Sequence, residues 1–503
     1  MDIGLLMAFL VYLIVLIGVG IITYRMMHTH DDYYLAGRRL NPWVTALSAE
    51  ASSESGWLLL GLPGQAFSMG VGAFWVAFGC LAGTFFNWTA VARRLRKITG
   101  FFRAITIPDY LESRFDDRSH TLRVVAALLI GVFMTSYVAA QLVASGKALS
   151  VTFGIDYVPA VLVGSAVILF YTMMGGFFAV AWTDVVQAVM MIIGLVVIPV
   201  VGTIKLGGPG AVVARLAECA ADTSGFMSMR VGREGIALAT FIIGMLGIGL
   251  GYPGQPHVLV RFMAIKRPSL IRKGALIGII WAAIALYGAV LVGLLARGIL
   301  SGDVGDPERV LPLMAMELLP SWIAGIMIAA AMAAIMSTAD SQLLVASSSF
   351  VQDFYHKTFG RKPSQSTLVL LSRLVTLGIG VLGMVIALRQ DPENPVGVVF
   401  WLVLYAWGGL ASAFGPVIVL SLYWKRVTRA GALAGMLSGA ATVIVWENIP
   451  ALKEFLYVLI PGVVVSSIAV IVVSLLTTPP PVPALTGDAA AGDAKAAGVD
   501  AGQ

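Results

Sequence analysis

The sequence predicts an all-α integral membrane protein of about 13 transmembrane helices, with a five-plus-five inverted-repeat core, one helix before it and two after. Three observations carry this expectation. Of 503 residues, 58% are hydrophobic and only 12% charged, and mean hydropathy is +0.90. A soluble domain is about 25% charged, and no soluble core of this length could bury so much apolar side chain. The apolar residues fall into segments of about 20 residues, the length of a spanning helix. Two of these segments are interrupted by small and polar residues.

The segments run over 4–24, 43–65, 71–92, 122–148, 156–174, 183–203, 236–261, 274–296, 320–350, 367–388, 396–421, 430–447 and 455–477. No Lys or Arg precedes the first, which favours a retained span over a cleaved leader. With the N-terminus outside, inside loops carry about 20 Lys and Arg and outside loops about 8, so the expected orientation is N-outside and C-inside, in the plasma (inner) membrane. The net charge of +6 lies between the apolar segments, as topology signals do, and gives no basic face for nucleic acid. Cys80 and Cys219 alone cannot make a disulfide framework or a metal site. The chain divides into 1–42, a first transmembrane helix and cytoplasmic loop, and 43–203, a first inverted repeat. A second repeat, 204–421, contains an outside loop at 204–235. Two C-terminal transmembrane helices follow in 422–477. Residues 478–503, rich in Pro, Ala, Gly and Asp, form a cytoplasmic tail expected to be disordered.

The first interruption is Ser52-Ser53-Glu54-Ser55-Gly56, inside 43–65. The second is Gly-Leu-Gly-Tyr-Pro-Gly-Gln-Pro, 249–256, inside 236–261. Two prolines and three glycines in eight residues cannot all continue a helix. Breaks in corresponding positions of two halves point to a binding site at the membrane midplane. Four carboxylates, Glu50, Glu54, Asp184 and Asp340, lie in or beside apolar stretches, where an ionisable group usually faces a cavity or a bound ion. Positions 334, 337, 338 and 341 fall within about 100° around a helix, a stripe of hard oxygen donors suited to a hard cation such as sodium. The plain alternative is Ser and Thr bonding back to their own helix. These features imply a route for something small across a membrane. No His/Cys cluster, nucleophile elbow or phosphate loop points to an enzyme.

From Asp31-Asp32-Tyr33 to about residue 477 the chain resembles the sodium:solute symporter family, and within it the bacterial sodium/proline symporters. The resemblance rests on Ser55-Gly56-Trp57-Leu58-Leu59 with Gly61-Leu62-Pro63-Gly64, on Ile107-Pro108-Asp109-Tyr110, and on Gly175-Gly176-Phe177 with Trp182-Thr183-Asp184. It continues in Gly254-Gln255-Pro256-His257, Ile335-Met336-Ser337-Thr338, and Trp424-Lys425-Arg426 with Gly431-Ala432. It implies alternating access driven by a sodium gradient, with a small organic solute, L-proline first, as cargo. It implies a sodium site of the Ala51, Glu54 and Ala334 carbonyls with the Ser337 and Thr338 hydroxyls. The matching substrate positions are Ser55, Gly56, Trp57, Tyr137, Ile248, Tyr252, Gln255 and Pro256. Arg38 matches an arginine linked to coupling, and is equally read as a cytoplasmic anchor. His257 and Arg261, after the second break, are read as structural.

Four positions depart from the resemblance. The proline symporters carry Asp at Ser53, Met at Glu54, Gly at Glu50 and Trp at Ile248. Glu54 is read as standing in for the missing Asp, with Glu50 and Ser53 beside it in coupling. Asp340, about 60° from Ser337 around the helix, is read with Asp184 and Ser341 as a possible second ion site. Protons in place of sodium, and another amino acid or a carboxylate in place of proline, remain alternatives. From a different class, a passive channel needs no paired ion and substrate sites. A membrane sensor would need an appended soluble domain, for which the segments leave no length.

Overall fold

The computed structural model describes residues 3–24, 35–174, 176–221, 225–300, 304–358, 364–390 and 397–478. Asp31-Asp32-Tyr33, Gly175 and residues 479–503 of the expected tail lie outside them. The described residues form helices and no strand; one isolated bridge joins Leu40 and Ile265. Helix α1 is Ile3–Tyr24 and α2 is Pro42–Ser53, the latter started by the Asn41 side chain and a proline at its first position. A wide turn, Trp57–Gly61, leads into α3, Leu62–Met69. Then come α4, Phe74–Phe86, and α5, Arg93–Phe102, joined by the wide turn Asn87–Ala92. The short α6, Ile107–Phe115, precedes α7, Thr121–Phe153, α8, Tyr157–Met174, and α9, Phe177–Lys205. In the second half α10 is Pro209–Ala221 and α11 is Gly235–Gly247. A tight 3₁₀ stretch, Ile248–Gly254, separates α11 from α12, Pro256–Ala264. Next are α13, Ile271–Ile299, α14, Val310–Leu318, and α15, Ser321–Ser348, which continues as a wide coil over Ser349–Thr358. The last helices are α16, Gln365–Leu388, α17, Val398–Tyr423, α18, Arg429–Glu447, α19, Pro450–Phe455, and α20, Leu459–Leu476.

Among the described residues 11 helical stretches are long and apolar enough to cross a membrane, so the expected thirteen is not matched by this measure. Tyr157–Met173 is apolar but shorter. The first half of the broken segment, α2, is also short. Its second half runs on with the next segment as one stretch, Trp57–Phe102, turned at Gly70 where φ is +68°. Both expected interruptions are present as breaks, at Glu54-Ser55 and over Ile248–Gly254.

The core is α15. Its run of Ala329–Ala331, Ala333 and Ala334 is fully buried and packs against α1, α7, α9 and α2. Small side chains let helices approach closely where lipid supplies no hydrophobic drive for association. The second break is wedged between α4 and α17. A Cβ on Gly249 would lie 1.9 Å from the Gly79 oxygen, and one on Gly251 would lie 1.8 Å from Trp407 Nε1. Only glycine permits that approach. Gly244 and Gly247, by contrast, only make room for Tyr457 and Ile460 of the α20 end.

At one end of the bundle a buried guanidinium ties three elements together. Arg123 of α7 donates to Asp109 (2.8 Å) and Glu112 (2.6 Å) of α6, and to Asp353 of the coil after α15 (2.5 Å). This accounts for Asp109 in the Ile107-Pro108-Asp109-Tyr110 motif; Tyr110 meets Ser421 of α17 at 2.7 Å. Burial alone would raise the Glu112 carboxyl, but hydrogen bonds from Arg123 and His120 hold it below the usual carboxylate range. A depressed folded value means that the stabilisation exists above the unfolded value of about 4.3 and is lost as pH falls through the folded one. Glu112→Gln should therefore lower the melting temperature of the solubilised protein at pH 7, and the gap from wild type should close below about pH 4. A gap independent of pH would show that the carboxylate charge is not what holds α6 to α7.

Candidate functional site

Breaking a helix inside a membrane frees backbone groups that need partners. At the end of α2 the freed Ala51 carbonyl accepts from Ser337 Oγ (2.8 Å) and Thr338 Oγ1 (3.2 Å) of α15. Ser337 Oγ also lies 3.0 Å from the Ala334 oxygen. Four of the five oxygens expected around sodium thus converge, all on fully buried residues. The fifth, the Glu54 carbonyl, belongs to the cap residue of the same helix end. On the far side of the break Gly56 N–H donates to Gln141 Oε1 of α7 (3.1 Å) and Trp57 N–H to Ser55 Oγ (3.1 Å).

The second break is satisfied in the same way. Trp407 Nε1 donates to the Ile248 carbonyl (3.0 Å), Gln255 Nε2 to the Gly251 carbonyl (3.2 Å), and Asn87 Nδ2 to the Tyr252 carbonyl (3.3 Å). Between the two breaks lies a narrow cavity with room for about one water. Trp57, Tyr137, Ile248 and Tyr252, all expected at the substrate, line it, together with Ser53, Glu54, Cys80, Val403, Leu404 and Trp407. Tyr252 meets Trp407 edge-on, 4.9 Å between centroids, and Trp57 stacks on Phe400 at 5.5 Å. Ser55, Gly56 and Gln255 buttress the cavity walls through the bonds above. Pro256 lines a separate small cavity with Phe177 and Ile107. About one helical turn away along α11 and α17, a wide cavity of about 1200 Å³ reaches Arg233, Tyr405, Glu447 and Lys453 at the loops.

The carboxylates separate. Glu50 and Glu54 would share a face on an unbroken helix, but α2 ends at Ser53. Glu50 accepts from Trp88 Nε1 (2.7 Å), and Glu54 from Tyr252 Oη across the cavity (2.6 Å). Ser53 Oγ turns back to the Glu50 carbonyl, 3.2 Å. Arg38 donates to the Thr99 and Ala104 carbonyls, 3.0 and 2.7 Å, and so holds the loop after α5.

Asp184, Asp340 and Ser341 do come together, and Arg261 of α12 joins them. Its Nη2 lies 3.2 Å from Asp184 Oδ2 and against Ser341 Oγ, its Nε reaches Ser48 Oγ (3.2 Å), and its Nη1 the His257 carbonyl (2.5 Å). All three side chains are fully buried, and Asp184 Oδ1 and Asp340 Oδ2 have no hydrogen-bond partner among the described residues. Sequence reasoning missed this role for Arg261 and also missed Gln141 and Trp407. For Arg261 a signal existed: a cation at the end of an apolar segment needs an anion. For Gln141 and Trp407 nothing local told which face they present.

Two broken spans with an aromatic cavity between them, one of them ending on a buried hydroxyl stripe, are the arrangement of a membrane transporter. The model of the sodium:solute symporter family matches residues 33–439, and the chain belongs to that family. It is 43% identical over 484 residues to the sodium/proline symporter of Escherichia coli (strain K12), covering 95% of this chain and 94% of that one. It is 41% identical over 472 residues to the high-affinity proline transporter of Bacillus subtilis (strain 168), covering 92% and 96%. The solved structure of a Na⁺-coupled sialic acid symporter in a substrate-bound outward-open state superposes with a TM-score of 0.79. That match has 22% identity, covers 96% of this chain and all of the other, and shares the fold.

Removing one member of a buried charge cluster usually costs about 3–5 kcal/mol. Arg261→Gln should therefore lower the melting temperature sharply in sodium-free buffer. Adding Asp340→Ser should recover part of the loss, because one uncompensated anion then goes. Equal melting of the single and double variants would show that Asp340 lies outside the charge balance of Arg261.

Proposed function

We propose that the chain couples sodium entry to the uptake of L-proline across the plasma (inner) membrane, with the N-terminus outside and the C-terminus cytoplasmic. The observation that carries the reading is the meeting of Ser337, Thr338 and the Ala51 carbonyl at the break that also walls the aromatic cavity. The relatives named for sodium and proline support the same cargo. Sodium is a co-transported ion here, held by the Ala51, Glu54 and Ala334 carbonyls and the Ser337 and Thr338 hydroxyls. In its absence the two hydroxyls donate to Ala51. When the ion arrives they rotate, and their lone pairs turn to it instead. The narrow cavity, with room for about one water in this structure, widens to take the solute as the two repeats, 43–203 and 204–421, move around it. Transport, with no catalytic step, is the whole activity proposed.

A second ion is supported by one observation. Asp184 and Asp340 share the single guanidinium of Arg261, and each has an oxygen with no hydrogen-bond partner among the described residues. A second monovalent cation among Asp184, Asp340 and Ser341 would take up those oxygens and balance the second carboxylate.

Uptake into proteoliposomes should be concentrative and electrogenic. One sodium crossing 100 mV supplies ~2.3 kcal/mol, and a tenfold gradient ~1.4 more. Tight coupling then allows roughly several-hundred-fold accumulation of proline. Proline that only equilibrates under these gradients would mark a passive channel. Uptake that persists without sodium and rises on outside acidification would mark protons as the coupling ion. Ser337→Ala and Thr338→Ala should each raise the sodium needed for half-maximal uptake, and the double variant should be nearly inactive. Unchanged sodium dependence in both would remove the stripe from the ion site. Reversal potentials should give two charges per proline in wild type and one in Asp340→Ser; one in both would leave a single sodium site.

A further inference from the structure

The side chain of Glu54 faces away from the hydroxyl stripe. It lies in the aromatic cavity, 1% exposed, and its Oε1 accepts from the Tyr252 hydroxyl at 2.6 Å. Among the described residues lining that cavity there is no Lys, Arg or His. The wall around the carboxylate is Trp57, Tyr137, Tyr252 and Trp407. Aromatic faces carry partial negative charge and attract cations within about 6 Å of the ring centroid. A chamber that combines four such rings with one carboxylate repels a bare anion and favours a positive group.

The opposite polarity is offered on the same wall. Trp57 Nε1, which can only donate, is buried with no hydrogen-bond partner among the described residues. The backbone N–H groups of Gly56 and Trp57, the other donors at this helix start, are already taken by Gln141 and Ser55. The cavity therefore holds one strong acceptor with a single neutral donor on it, and the Trp57 side chain in its wall carries a donor that no described residue takes up. A protonated amine beside a carboxylate matches both.

We propose that the Glu54 carboxylate receives the substrate's ammonium group and that this contact, with Trp57 Nε1 on the substrate carboxylate, selects zwitterionic amino acids over simple carboxylates. The proposal rests on the reading of this cavity as the solute site. It gives Glu54 two faces. Its side chain holds the solute, and its backbone forms the helix end three residues after Ala51. A solute pulling on Glu54 thereby orders the turn that presents oxygens to sodium.

The test is equilibrium binding of radiolabelled L-proline to the purified full chain at saturating sodium. Two competitors are used: tetrahydrofuran-2-carboxylate, which has a ring oxygen for the amine, and prolinamide, which keeps the ammonium and lacks the carboxylate. A hydrogen bond to a charged group contributes about 1.5–3 kcal/mol, or ~10–100-fold in affinity. Glu54→Gln should weaken proline and prolinamide by that factor and leave tetrahydrofuran-2-carboxylate bound as well as before or more tightly, because the repulsion between two carboxylates is then gone. Trp57→Phe should weaken proline and tetrahydrofuran-2-carboxylate and spare prolinamide. Sodium-dependent tryptophan fluorescence, with its midpoint unchanged in Glu54→Gln, shows that the variant is folded and that the ion site is intact. Equal weakening of all three ligands, or a raised sodium midpoint with unaltered discrimination, overturns the assignment and moves Glu54 to the ion. Wild-type protein that binds no proline refutes the substrate reading instead. The same competition with the amino acid that does bind, and its amide and deamino analogues, then decides the role of Glu54.

Discussion

A helix can be broken in the middle of a membrane only if every backbone group it frees finds a partner, and this requirement organises the site. Water is absent there, and an unmet carbonyl or N–H costs several kcal/mol. The chain answers with side chains from helices that were never broken: Ser337 and Thr338 on Ala51, Gln141 on Gly56, Trp407 on Ile248, Asn87 on Tyr252. These residues stabilise the breaks and, by the same contacts, shape the proposed ion position and the cavity. The alanine-rich face of α15 matters for the same reason. It brings the hydroxyls within reach of Ala51, which bulky side chains at Ala333 and Ala334 would prevent.

Charge follows a parallel rule. Each buried cation joins elements that are distant in sequence. Arg123 joins α6, α7 and the coil after α15. Lys147 of α7 joins Asp306 and Glu308, and Glu308 in turn accepts the Val399 and Phe400 N–H groups at the start of α17. A carboxylate suits a helix N-terminus. Arg261 joins α12 to α9 and α15. The first two lie toward opposite ends of α7 and the third beside the ion stripe. Any motion that separates α7 from its neighbours must break one of the outer two, and any tilt of α12 must move Arg261 relative to Asp184. Because a buried pair is costly to break when one partner is left unpaired, each junction favours discrete positions over a continuum.

Much of this was legible in the sequence. The two breaks followed from local chemistry: Ser52-Ser53-Glu54-Ser55-Gly56 competes with helix through hydroxyls and glycine, and residues 249–256 cannot stay helical. The hydroxyl stripe followed from a period of 3.6 residues. The count of spans was less secure, because hydropathy sees neither that α2 is half a span nor that α3 runs into the next helix through the turn at Gly70. The destinations of the carboxylates were not legible. Glu50 and Glu54 are four apart, but the helix ends between them, and their partners Trp88 and Tyr252 come from different halves of the chain. The same holds for Arg261, whose place depends on how the piece after the second break packs on α2 and α15 and so brings the guanidinium to Asp184.

Coupling needs a site that is stable both with and without its ion, and the Ala51 contact supplies the reason it can be. Without sodium, Ser337 and Thr338 have somewhere to donate, so no polar group is stranded. In the sodium site proposed above, the same oxygens become ligands and the carbonyl is met by the cation. Under that proposal the ion replaces two hydroxyl donors on the Ala51 carbonyl, so the carbonyl has a partner in both states. The break, the stripe and the cavity therefore form one arrangement: the helix ends at the proposed ion position, and the turn that ends it places Glu54 in the cavity. In that proposal ion and solute meet at one helix end, where Ala51 and Glu54 are three residues apart.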